Sequence, residues 1–274
     1  IKNMTIADVQ KYYDQYMTSQ NTRVVVVGDI TEKEIFPKLT FLNKLPNKKI
    51  TLTTPPAAPV VNKTVIYMID VPKAAQTEFR IGKVTNLFYD ATGEYYKAGL
   101  VNYVLGGDFN SRINLNLREN KGWTYGARSS FSGDRYSGEF TFSSGIRADA
   151  TDSALSEVIK EIKNYADNGI KADEISFLKS ALGQRDALLY ETVGQKAGFV
   201  GRILEYNLPA NFVDTQNKIL KDMTKAEIDG IAKKWLNTDK MVILLVGDKA
   251  KILPGLQKSG YEIIELDTDG NRKP

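Results

Sequence analysis

The chain has 274 residues, 42% apolar and 10% aromatic, with a net charge of +4, no cysteine and no histidine. Those proportions belong to a globular protein able to bury a core. The missing thiols and imidazoles exclude disulfides, Cys-His and Ser-His nucleophiles, and thiolate or imidazole zinc sites within this chain.

The first residues, IKNMTIADVQKYYDQYM, lack the apolar central region of a signal peptide. They also lack an initiator Met, which implies a start inside a longer protein. No apolar run nears the ~18 residues of a membrane-spanning helix. Lysines are scattered, with only Lys44, Lys48 and Lys49 clustered, so no basic stripe argues for nucleic acid.

Met4–Asp29 and Met223–Asp248 align without a gap at a constant offset of 219 residues. Each copy places a Thr three residues before an acid, Thr5 with Asp8 and Thr224 with Glu227, the pattern of a helix capping box. Each then continues into an apolar β-branched run closed by Gly-Asp, which predicts a buried strand. A repeat this long is domain duplication rather than a solenoid. Residues 1–52 therefore read as the tail of an upstream homologous domain. Residues 53–61, with TTPPAAPV at their start, read as a Pro-rich extended linker, and 62–274 as one complete domain.

In that domain Val65–Asp70 and Gln76–Val84 alternate as strands on either side of Val71-Pro72-Lys73. A helix is predicted over Gly93–Leu105, ended by Gly106-Gly107 through left-handed backbone. A second helix over Asn110–Glu119 turns Ile113 and Leu117 inward, and Tyr125–Ser132 with Tyr136–Ile146 form a hairpin around Gly133-Asp134. From Ala150 the pattern is helical, with Leu155, Val158, Ile159 and Ile162 in one stripe and Gly169 as its stop. Asp173 is expected to cap the next helix, and helical pattern runs with interruptions to about Tyr206. The repeated helix and strand close the domain, followed by a frayed acidic tail at Asp267–Asn271. Strands first, helices after and a returning strand predict an α+β two-layer sandwich, a mainly antiparallel sheet with helices packed on one face.

Gly106-Gly107 follows a helix and lacks a following Gly-Lys-Ser/Thr, so it is not a phosphate loop. The whole stretch Leu105–Gly126, LGGDFNSRINLNLRENKGWTYG, instead resembles the signature of the C-terminal half of pitrilysin/insulinase-type zinc metallopeptidases. In that family a Gly-Gly turn opens a helix ending in Arg, with Tyr seven residues later; here these are Arg118 and Tyr125. The resemblance implies that both reach a peptide bound near zinc. A guanidinium fork and a phenolic O–H are donors suited to the charge that builds on a scissile carbonyl oxygen, each contributing roughly 3–4 kcal/mol in a shielded site. Gln76 and Thr77 match a position where members often carry Gln-Thr, a substrate-binding expectation, while Arg112 is read as structural.

The family's zinc is held by an inverted His-x-x-Glu-His helix of its N-terminal half, and this chain has no histidine. The resemblance thus implies no metal or cofactor in this chain, zinc and general base in a zinc-bearing N-terminal half or partner subunit, and peptides as substrates. The alternative is a non-catalytic structural or regulatory subunit of the same fold. The unpaired strand Val24–Val27 needs a sheet to join, and a homodimer through residues 1–50 is one way to supply it. The expected compartment is the periplasm or cell envelope.

Overall fold

A computed structural model describes residues 1–185 and 190–273. In chain order the elements are α1 (Ile6–Tyr16), α2 (Glu32–Ile35), β1 (Val65–Asp70), β2 (Gln76–Thr85), α3 (Glu94–Asn102), α4 (Arg112–Asn114), β3 (Thr124–Gly133) and β4 (Gly138–Arg147). They continue with α5 (Thr151–Asn168), α6 (Ala172–Arg185), α7 (Val193–Tyr206), α8 (Phe212–Asp222), α9 (Lys225–Trp235), β5 (Val242–Gly247), α10 (Lys249–Leu256) and β6 (Glu262–Leu266). They fall into two compact units, Pro56–Gly183 with Asn211–Pro274, and Ile1–Pro55 with Gln184–Ala210.

The larger unit is the α+β sandwich. Its six strands lie in the order β3-β4-β2-β5-β1-β6. The pairings β2 with β4, β2 with β5 and β3 with β4 are antiparallel, whereas β1 runs parallel to β5 and β6. The returning strand β5 thus lies between the first two. Period-2 alternation sends Phe79, Ile81, Phe140, Phe142, Ile146, Ile243 and Leu245 into one core, where they meet Leu100 and Val101 of α3, Leu155 and Val158 of α5, and Ile228 of α9. Full burial of each such side chain contributes about 1.5–3 kcal/mol. The other face of β2 carries Gln76, Glu78 and Arg80, all exposed.

Several sequence expectations need correction. Gly106-Gly107 does not end α3 by left-handed geometry: the chain passes into a π-helical segment, Tyr103–Gly107, and neither glycine has positive φ. Gly106 is instead a place of close approach, since a Cβ there would lie 2.2 Å from Ser129 Oγ. Gly169 does stop α5, at φ +73. Asp173 lies within the first turn of α6 rather than capping it. The helical pattern toward Tyr206 is carried by α6 and α7; residues 186–189 of that stretch lie outside the described residues. The domain does not close on β5, because α10 and β6 follow. Nor is the acidic tail frayed: the Asp267 carboxylate accepts the N–H groups of Asp269 and Asn271, and the chain returns so that Arg272 pairs antiparallel with Leu266.

In the smaller unit α1 carries the expected capping box, as α9 does in the larger one. The Thr5 hydroxyl and N–H both donate to Asp8 and hold its carboxyl below the usual range. The expected strand Val24–Val27 is not formed, since an extended run becomes a strand only beside another; Val24 and Val26 are exposed. Thr18 is the one buried residue among those described in this unit.

Candidate functional site around Arg118 and Tyr125

The expected helix over Asn110–Glu119 is a short α-helix, α4, that widens into a π-helical segment, Leu115–Asn120. Lys121 N–H reaches the Asn116 carbonyl at 3.1 Å and Trp123 N–H the Leu117 carbonyl at 3.0 Å. Gly122, at φ +64, then turns the chain into β3. Wide π turns are uncommon and concentrate at functional sites. Here one carries Arg118.

The Arg118 guanidinium carbon lies 4.3 Å from the centre of the Phe109 ring, and Nη1 donates to Glu119 Oε1 at 2.5 Å. The side chain remains a third exposed, with the rest of its donor fork unspent on Glu119. Tyr125 sits where β3 slips against β4: pairing jumps from Thr124 with Ile146 to Ala127 with Ser144, one residue too many on β3. Thr124 Oγ1 accepts the Gly126 N–H and Ser144 Oγ donates to the Gly126 carbonyl, fixing the bulge. Tyr125 is pushed out of the sheet to 90% exposure. Among the described residues its hydroxyl has no hydrogen-bond partner, and none joins it to Arg118. The two expected residues thus lie on one segment with no hydrogen bond or ring contact between them among the described residues.

Gln76 and Thr77 are parted by strand alternation. Gln76 is exposed, whereas Thr77 is 0% exposed and its hydroxyl lies 2.8 Å from that of Thr151. Thr77 therefore faces the core and does not meet solvent; a pair read from adjacent positions cannot share one face of a strand. Arg112 is structural, as expected. It grips Glu174 through Nε at 2.6 Å and Nη2 at 2.5 Å, donates to the Gly169 carbonyl and stacks on Tyr165. Burial pushes the Tyr165 phenol up. Among the described residues, no group of three or more His, Cys, Asp or Glu is placed to hold a metal.

The edge of the sheet beside this segment is largely spent. Ala127 N–H donates to Asn114 Oδ1, the Ser129 carbonyl accepts from Asn102 Nδ2 and the Phe131 carbonyl from the Tyr95 hydroxyl. At the opposite edge, Lys273 N–H takes the Glu265 carbonyl of β6. Phe109 and Asn114 were not singled out in the sequence. The available signal was a polar Asn114 between the inward Ile113 and Leu117.

The larger unit is thus a two-layer α+β domain with Arg118 on a π-helical segment and Tyr125 at a β-bulge. The family model described as "Peptidase M16 inactive domain" matches residues 3–182, and the chain belongs to this family. A relative from Helicobacter pylori named "Non-peptidase homolog YmxG" is 25% identical over 167 residues, 59% of this chain and 38% of that protein. The crystal structure of a peptidase M16 inactive domain from Pseudomonas fluorescens matches with TM-score 0.77 and 24% identity, over 90% of this chain and 59% of that one. The periplasmic protease PqqL from Escherichia coli matches with TM-score 0.68 and 17% identity, over 89% of this chain and 27% of that one. The chain spans less than two thirds of the length of each of these proteins.

Proposed function

We propose that this chain is the C-terminal, peptide-gripping part of a pitrilysin-type zinc metallopeptidase. Arg118 and Tyr125 bind the peptide and polarise its scissile carbonyl, while zinc and general base come from a histidine-bearing N-terminal half or partner subunit. The observation that supports this most is the unpartnered, 90% exposed Tyr125 beside Arg118, which still has free donors, both within the signature-like segment. Gln76, exposed at the start of β2, is a further peptide contact in this reading. Assay of zinc-dependent peptide hydrolysis tests it: the pure chain is inactive, and joining it to a zinc-bearing half yields turnover. Turnover by the pure chain would contradict the assignment.

Residues 1–52 belong, in the same reading, to a homologous domain that supplies that half. Ile228, Ala232, Leu236, Ile243 and Leu245 are all buried in the larger unit. Their counterparts 219 positions earlier, Val9, Tyr13, Met17, Val24 and Val26, are all exposed. A sheet lacking its central strand would cover them. A second copy of this chain already holds β5 in that place, which weighs against a homodimer through residues 1–50.

A specific observation favours a second reading, a non-catalytic subunit: the H. pylori relative carries the name non-peptidase homolog. Under it, Arg118→Ala leaves the turnover of the assembly intact. The periplasm or cell envelope is the proposed compartment, in keeping with the periplasmic protease among the structural matches. Fractionation of the native cells checks it.

A further inference from the structure

Asn114 is buried at the end of α4 and spends both ends of its side-chain amide. Nδ2 donates to the Phe109 carbonyl at 2.6 Å, and Oδ1 accepts the Ala127 N–H at 3.0 Å. Only one orientation of the amide satisfies a carbonyl on one side and an N–H on the other. Phe109 is the ring on which Arg118 stacks. Ala127 is the first residue to resume pairing after the bulge that extrudes Tyr125. A single amide therefore ties the platform of one proposed peptide-binding residue to the anchor of the other.

We propose that Asn114 is a positioning residue that fixes Arg118 and Tyr125 relative to each other. The proposal rests on the reading that these two act on one peptide, yet its geometry is measurable without peptide or partner. Tyr125 is held through its neighbours: the pairing of Thr124 with Ile146, the Thr124 and Ser144 hydroxyls on Gly126, and Asn114 on Ala127. On the Arg118 side, Phe109 is more than half exposed, and the Asn114 bond to its carbonyl ties down the backbone that carries the ring. Removing the amide loosens both ends; keeping only its acceptor half loosens one.

The test is nuclear magnetic resonance on the full chain, following the Arg118 Nε–Hε signal, the Tyr125 ring signals and exchange of the Ala127 amide. In the parent protein the Ala127 amide exchanges about tenfold or more slowly than an open edge amide, because it is hydrogen-bonded away from β4. Asn114→Ala abolishes the ring-current shift of Arg118 and moves the Tyr125 signals, leaving those of the distant β1 and β6 in place. Asn114→Asp keeps the acceptor for Ala127 and loses the donor to Phe109, so Arg118 moves and Tyr125 stays. An unprotected Ala127 amide in the parent overturns the proposal even if a variant fails to fold. So does an alanine variant in which either side chain keeps its signals, or an aspartate variant that moves both. If these shifts occur but Arg118→Ala leaves an assembled peptidase unimpaired, Asn114 holds the geometry and the catalytic reading alone is lost.

Discussion

Gly106 and Ser129 approach so closely that a Cβ on the glycine would lie 2.2 Å from the serine Oγ and 2.7 Å from its backbone nitrogen. The π-helical segment after α3 is thereby pressed onto β3, where the Ser129 hydroxyl also donates to Asn102 Oδ1. Gly106→Ala must move backbone rather than a flexible side chain. It is expected to cost about 1–3 kcal/mol, read as a lowered denaturation midpoint in urea.

The two halves of the Gln76-Thr77 pair separate stability from binding. Thr151 already donates to the Ala148 carbonyl, so Thr77 is the donor between the two hydroxyls. Thr77→Val is expected to cost about 0.5–1.5 kcal/mol of stability and leave peptide affinity unchanged. On the proposed role of Gln76, Gln76→Ala is expected to reverse the pattern, weakening peptide binding by the assembled protein with stability unchanged. Urea titration and anisotropy of a fluorescein-labelled peptide measure the two effects.

The Arg112–Glu174 pair is mostly buried, with side-chain exposures of 10% and 16%. Arg112→Ala leaves a carboxylate buried without its fork and is expected to destabilise by about 3–5 kcal/mol. Arg112→Lys does not restore it, because an ammonium cannot span both Glu174 oxygens and the Gly169 carbonyl. Calorimetric melting of both variants checks this.

Acid sensitivity has an identifiable source in α5. Donation by Asn116 Nδ2, aided by Lys160, holds the Glu157 carboxyl below its usual range. A carboxylate depressed in the folded state adds stability above its unfolded pKa and loses it as pH falls through the folded value. Asn116→Leu should therefore lower stability at neutral pH and flatten its decline under acid. An unchanged slope of stability against pH below the ordinary glutamate range would contradict this.

The sequence made the sheet-forming runs legible because β2 and β4 alternate in burial and β1 is a short run of apolar residues. The capping boxes of Thr5 and Thr224 were legible because three-residue spacing is local chemistry. What was hidden is non-local. The insertion of β5 between β1 and β2 depends on pairing across more than 150 residues. The π turn under Arg118 has no period that an α-helical reading can detect. Val24–Val27 carries the pattern of a strand but lacks a neighbour. At the candidate site, the signature-like segment pointed to Arg118 and Tyr125, whereas the contacts of the Phe109 ring and the Asn114 amide are ones that spacing does not encode.

The most direct measurement of the central claim is peptide turnover by the zinc-bearing assembly carrying Arg118→Ala or Tyr125→Phe. On the proposed role each removes donors to a developing oxyanion, so kcat is predicted to fall about 10²–10³-fold with the assembly and its zinc content intact. Turnover equal to that of the parent in both variants would contradict the account and leave this chain a structural subunit.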